Sequence, residues 1–130
     1  NNAFLLDMAG QRKQGRLPNI REHAGPAIQK LMQDGYPIDA ILCLNDGLIA
    51  HLISSLHSVD IHSPTDIAIA GYGNEEIAAL VVPSVTSVHM PVEEMIHQAL
   101  ECILHGHEKQ IKSYVFDNEI VERESTPIKN

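Results

Sequence analysis

DIAIAGYGNEE, residues 66–76, is an apolar run that stops at two glycines, a tyrosine, an asparagine and a pair of glutamates. Three readings compete for it: a phosphate-cradling loop, a strand end that touches a ligand, or a plain turn. A dinucleotide fingerprint needs a third glycine three positions after the second, so that helix and strand can approach closely. Gly71 and Gly73 fit the first two positions, but Glu76 stands at the third. Glu75 and Glu76 would also repel a pyrophosphate at a helix entry. The phosphate reading fails. IAIAG (67–71) reads instead as a buried strand whose carboxyl end carries Tyr72, Gly73 and Asn74.

Outward from this strand, apolar periodicity alternates between helix and strand. On the amino-terminal side, residues 3–14 read as a helix with Phe4, Leu5 and Met8 on one face, broken by GRLPN. A second helix is expected from Gly25 to Asp34, on the spacing of Ile28, Leu31 and Met32. DAILCL (39–44) is a continuous apolar run, the pattern of a strand buried on both faces. Asp46 can then cap a helix carrying Leu48, Ile49, Leu52, Ile53 and Leu56. HSPTD (62–66) is a turn.

On the carboxyl side, SVTSVHM (84–90) is extended. Pro91 suits the first turn of a helix over 91–105, with Val92, Met95, Ile96, Ala99, Leu100, Ile103 and Leu104 on its apolar face and Gly106 as its stop. SYVFDNEIVE (113–122) reads as a closing strand bent near Asp117–Asn118. The pattern predicts a single α/β domain over residues 1–130, a small parallel sheet flanked by helices. In such sheets ligands bind beyond the carboxyl ends of the strands. Asn45–Asp46 and Tyr72–Asn74 occupy that position.

The bulk properties narrow the function. Apolar residues make up 44% of the 130, enough for a core, and aromatics only 4%, so that core must be aliphatic. A formal charge of −8 disfavours nucleic acid or anionic lipid as partners of the net field. No stretch has the length of a membrane span, and NNAFLLDMAG is no signal peptide. The first residue is not Met, so a processed chain or part of a longer one is expected. Cys43 and Cys102 both lie in apolar runs and read as two buried thiols in a reducing compartment.

Catalytic readings do not survive. His51 and His57, six apart, and His97 and His105, eight apart, miss the i,i+4 spacing that sets two metal ligands on one helical face. Glu75–Glu76 and Glu93–Glu94 are adjacent pairs, which diverge on a helix and serve better as dipole partners near its start. None of the serines sits in a nucleophile elbow. No enzyme, metal or cofactor is expected.

From about Asp39 onward the sequence resembles the effector-binding region of the LacI/GalR family of transcriptional regulators. PIDAILCLNDGLIA, IHSPTDIAIAGYGN, PSVTSVHMPVEEM and IVERESTP each resemble a family segment, in the family's order, over about two thirds of the chain. The RESTP ending favours regulators over the related periplasmic sugar binders. Residues 1–38 match less well, and nothing resembles the family's helix-turn-helix head or its N-terminal effector subdomain.

The resemblance implies one subdomain of a periplasmic-binding-protein-like fold, a cytoplasmic homodimer, and a small-molecule effector of the sugar or nucleoside class. DNA would be bound only through a head absent from this chain. Asn45, Asp46, Tyr72, Gly73, Asn74 and Met90 are the implied ligand-side positions. Asn45 matches an asparagine that the family sets against a sugar hydroxyl, a role suited to an amide. Gly73 stands where the family usually has an aspartate accepting two hydroxyls, and Met90 where some members have a polar contact. A typical pyranose should therefore bind poorly. In the family the helix equivalent to 91–105 packs on the other subdomain, so here it is expected to pack on the domain itself or on a second chain, by domain exchange or tight dimerisation. A soluble sugar-binding protein and a dimerisation module without effector are the alternatives.

Overall fold

The computed structural model describes residues 19–105 and 113–126. The expected helix over 3–14, the Gly106 stop and the final residues after Thr126 lie outside them. The elements, in chain order, are α1 (Ile20–Gln33), β1 (Ala40–Leu42), a 3-10 turn (Asp46–Leu48) running into α2 (Ile49–His57), β2 (Ala68–Tyr72), α3 (Glu76–Leu80), β3 (Thr86–His89), α4 (Val92–His105) and β4 (Glu119–Val121). The four strands form one sheet in the order β1-β2-β3-β4. The first three are parallel, and β4 runs antiparallel to β3. The α/β architecture is the expected one, with a single antiparallel edge added.

α1 begins earlier than the sequence pattern indicated. Asn19 caps it, its side chain accepting from the Arg21 N–H and donating to Glu22 at 2.7 Å. Pro26 lies inside the helix, not in its first turn, because this cap fixes the start six residues upstream of it. α1 meets α2 where Gly25 donates its N–H to Ser55 Oγ at 2.7 Å. A Cβ on Gly25 would stand 2.1 Å from the Ser55 carbonyl oxygen, so the crossing requires glycine.

Strand register sorts the core. Ile41 pairs with Ile69, and Val85 flanks them at the start of β3. With Cys43, Ile67 and Ala78 these residues meet Ala24 and Ile28 of α1 and Ile49, Leu52, Ile53 and Leu56 of α2 in one aliphatic core. The opposite side differs from expectation. DAILCL was expected to be covered on both faces, but β1 is an edge strand, and Leu42 and Leu44 are 73% and 83% exposed. Continuous apolar runs mark such a strand only when both layers are in place, and among the described residues nothing covers this side of β1.

Two further expectations change. Strand character in SYVFDNEIVE is confined to Glu119–Val121, with residues 113–118 irregular. Cys102 is exposed on α4, its Sγ within 3.5 Å of the Tyr114 hydroxyl, while Cys43 is buried as expected. α4 itself buries none of its residues: Ile103 and Leu104 are 77% and 64% exposed, and Val92, Met95, Ile96 and Leu100 are also open. None of these apolar side chains is buried against the rest of the described domain.

The chain closes through its tail. Ser125 donates its hydroxyl to the Ile69 carbonyl and accepts the Thr86 N–H, while its own carbonyl accepts the Ile69 N–H at 3.2 Å. It thus fills the splay between β2 and β3 just below their first pairing, Ala70 with Thr86. Glu124 beside it accepts from both the N–H and the hydroxyl of Ser84, which holds its carboxyl below the ordinary glutamate range.

Candidate functional site

β1, β2 and β3 end at the same edge of the sheet, and each contributes residues beyond its last pair. Asn45 and Asp46 follow β1, Tyr72 to Glu75 close and follow β2, and His89 and Met90 close and follow β3. All six positions expected from the sequence lie at this edge, but they do different things.

Asp46 is fully buried and faces inward. Its carboxylate accepts the Ser87 hydroxyl, at 2.9 and 2.8 Å to the two oxygens, and the Glu75 N–H at 2.8 Å. Ser87 has one hydrogen to give, so it serves one oxygen at a time while accepting the Asn74 N–H at 3.0 Å. The carboxylate reaches Ser87 by passing over Gly71, the residue paired with Ser87 across the strands. A Cβ on Gly71 would stand 1.9 Å from Asp46 Oδ1 and 2.8 Å from Ile49 Cδ1. Gly71 is therefore glycine to let a carboxylate cross a strand.

This arrangement revises the expected roles. Asp46 was read as a helix cap, yet it is the first residue of the 3-10 turn, and Asn45 precedes it at φ −154°, ψ 163° with no side-chain cap bond. Two donors at the ends of neighbouring strands hold the carboxylate more strongly than a single turn amide would. Its buried charge also pushes up the Cys43 thiol, which burial chiefly drives to about 11. Asp46 thus fixes the site and presents nothing to solvent, whereas Asn45 is exposed and presents its amide.

The β2 end is shaped by backbone. Gly73 has φ +121° and donates its N–H to Val88 O at 2.8 Å, and Asn74 follows at φ +52°. Both lie in the left-handed region that glycine and asparagine tolerate best. Arg123 reaches in from the tail, donating from Nη2 to Asn74 Oδ1 at 2.6 Å and from Nη1 to Val85 O at 2.8 Å. The guanidinium orients the amide: Asn74 Oδ1 is occupied, and Nδ2 is left facing His89 Nδ1 at 3.5 Å. Tyr72 is half-buried with its hydroxyl 3.5 Å from Asn118 Nδ2, and Met90 is half-buried at the β3 end.

Ser87, Arg123 and Ser125 were not singled out from the sequence as site-forming. Their partners Asp46, Val85 and Ile69 lie 41, 38 and 56 residues away, separations that no local pattern reports. Among the described residues no three histidine, cysteine or acidic side chains gather as metal ligands, and no helix is long and apolar enough to cross a membrane.

The description "periplasmic binding protein-like domain" belongs to the family model that matches residues 6–126. The HTH-type transcriptional repressor PurR of Vibrio atlanticus is 34% identical over 96 residues, which cover 70% of this chain and 28% of that protein. The ribose operon repressor of Escherichia coli is 27% identical over 79 residues, covering 61% of this chain and 24% of its own. The chain spans about a quarter of the length of these curated relatives. In three dimensions it is similar to a periplasmic binding protein/LacI transcriptional regulator from Alkaliphilus metalliredigens complexed with D-xylulofuranose, at TM-score 0.60 and 29% identity, covering 68% of this chain and 35% of that one.

Proposed function

The chain belongs to the periplasmic binding protein-like domain family, and from that premise we propose that it is the effector-sensing and dimerising portion of a LacI/GalR-type transcriptional regulator. The observation that carries this reading is the gathering of Asn45, Tyr72, Asn74 and Met90 at the carboxyl ends of three parallel strands, braced from below by Asp46 and Ser87. An exposed amide, an oriented amide and a phenol beside an apolar side chain suit a small polar ligand with one less polar face. The effector is of the sugar or nucleoside class, as the relatives' names support. The regulator works in the cytoplasm as a homodimer, with DNA contacted by a head other than these 130 residues, and it catalyses no reaction.

Effector sensing requires differential affinity for two arrangements of the protein. These residues form one wall of a crevice, so ligand binding would be consolidated by a facing wall. The exposed face of α4 supports association with a second copy or with that facing part. A thermal-shift screen of sugars and nucleosides on the product of the complete reading frame tests the proposal. Stabilisation by a member of the panel, lost on Asn45→Ala, is the expected result. No stabilisation by any member would leave a dimerisation module without effector.

A further inference from the structure

A strand-end site that recognises hydroxyls needs an unengaged acceptor, and most acceptors at this edge are engaged. Both Asp46 oxygens face the Ser87 hydroxyl, and one also takes the Glu75 N–H. Asn74 Oδ1 is held by Arg123. The Tyr72 hydroxyl faces the Asn118 amide. Gly73 has no side chain, and at φ +121° a residue bearing one would be strained.

Asn45 Oδ1 and the Glu75 side chain are the exceptions, and of the two only Glu75 is a carboxylate. Its backbone is fixed by the N–H bond to Asp46, and its side chain folds back over Gly73. The space that a Cβ at position 73 would occupy lies 3.5 Å from Glu75 Cγ and 3.6 Å from Glu75 Oε1. Among the described residues the Glu75 carboxylate has no hydrogen-bond or ion-pair partner, and the residue is exposed. A carboxylate therefore stands over the vacant position, offered from two residues further along the chain.

We propose that Glu75 is the specificity-determining acceptor of the strand-end site, taking paired hydroxyl hydrogens of a polyol ligand where residue 73 offers nothing. This rests on the effector-sensing reading above. A carboxylate has two oxygens with about four lone-pair sites and accepts two adjacent hydroxyls at once, whereas an amide has one accepting oxygen. The oriented Nδ2 of Asn74 supplies a donor beside it, so a vicinal diol with a neighbouring oxygen acceptor is the matching ligand. Glu76 opens α3 as the next residue and serves as a matched control, being equally exposed and carrying the same charge.

The test is a titration of the isotopically labelled product of the complete reading frame, which supplies both walls of the crevice, followed by amide NMR, with D-ribose, D-xylulose and adenosine up to high millimolar concentration. Wild type and Glu76→Gln should show shifts at residues 72–76 and at Asn45 with similar affinity. Glu75→Gln should weaken binding about tenfold, equivalent to about 1.4 kcal/mol, with an otherwise unchanged spectrum. Equal binding by Glu75→Gln and wild type would overturn the assignment of Glu75 while leaving the effector reading intact. No response at the strand ends to any of the three probes would overturn the effector reading, and this assignment with it.

Discussion

The hydroxyl of Ser87 lies 2.9 and 2.8 Å from the two carboxylate oxygens of Asp46, a residue 41 positions earlier in the chain. That bond ties the end of β1 to β3 across β2, and the Glu75 N–H joins the same carboxylate. Asp46→Ala leaves the Glu75 N–H and the Ser87 hydroxyl without their acceptor. A loss of about 2–4 kcal/mol is expected, because each orphaned buried donor is penalised separately. Urea denaturation of the variant checks it, with Asp46→Asn retaining part of the stability through its remaining oxygen.

Gly71→Ala should be as damaging, for a steric reason. The added methyl would stand 1.9 Å from Asp46 Oδ1 and 2.8 Å from Ile49 Cδ1, and both residues are fully buried. A cost of about 2–3 kcal/mol is expected from such overpacking. Combined with Asp46→Ala, the penalty should be less than additive, since removing the carboxylate opens the space. A double-mutant cycle by thermal denaturation reads this directly.

Ser125→Ala removes an acceptor from the Thr86 N–H and a donor from the Ile69 carbonyl, both inside the sheet. The expected loss is about 2–3 kcal/mol, with faster amide hydrogen exchange at Thr86 as the local signature. Glu124→Gln, whose partners at Ser84 are exposed, should change stability little by comparison.

The two cysteines should behave differently. The Cys43 thiol is pushed from 9.0 to about 11 by burial and the Asp46 charge, so the folded chain holds its proton where the unfolded chain loses it. The stability this confers is complete below about pH 9 and is lost as pH rises towards 11, by up to about 2 kcal/mol. Cys43→Ala should flatten the alkaline slope relative to wild type. At neutral pH a thiol reagent should modify the exposed Cys102 rapidly and Cys43 only through unfolding.

α4 carries Ile96, Leu100, Ile103 and Leu104 in the open, and apolar surface is unfavourable in water by about 25 cal/mol per Å². The 130-residue chain is expected to associate through this helix. Ile96→Glu with Leu100→Glu should shift analytical ultracentrifugation towards the monomer without altering the strand-end resonances. A wild-type chain that stays monomeric at all soluble concentrations would remove α4 as the dimerising element.

The sequence was most legible where one segment reports on itself. IAIAG and SVTSVHM announced strands, and the spacing from Val92 to Leu104 announced α4, because side-chain period and backbone geometry share a cause. That Asn45–Asp46, Tyr72–Asn74 and Met90 gather at one edge followed from topology, since strand ends in a parallel sheet converge. The roles within it did not. Asp46 has the look of a cap, and only the placement of Ser87 and Gly71 in neighbouring strands turns it inward. Arg123 was legible only as part of the IVERESTP resemblance, and its contact with Asn74 depends on where the antiparallel β4 leaves the tail. The start of α1 was placed too late because the periodic set Ile28, Leu31 and Met32 begins well inside the helix, upstream of which only the Asn19 cap marks the true start.

The position of Ser125 bears on the order in which the molecule can be made. Ile69 and Thr86 leave a ribosome some 40 to 56 residues ahead of the serine that joins them. During synthesis the first three strands can approach one another, but the seam between β2 and β3 remains open at its lower end until residues 121–126 emerge. Domains gain their structure as their segments become available, and contacts of long sequence separation form late. A nascent chain arrested before Arg123 should thus hold α1 and α2 against a loosened sheet, and the emergence of residues 123–126 should be the step that makes it resistant to protease.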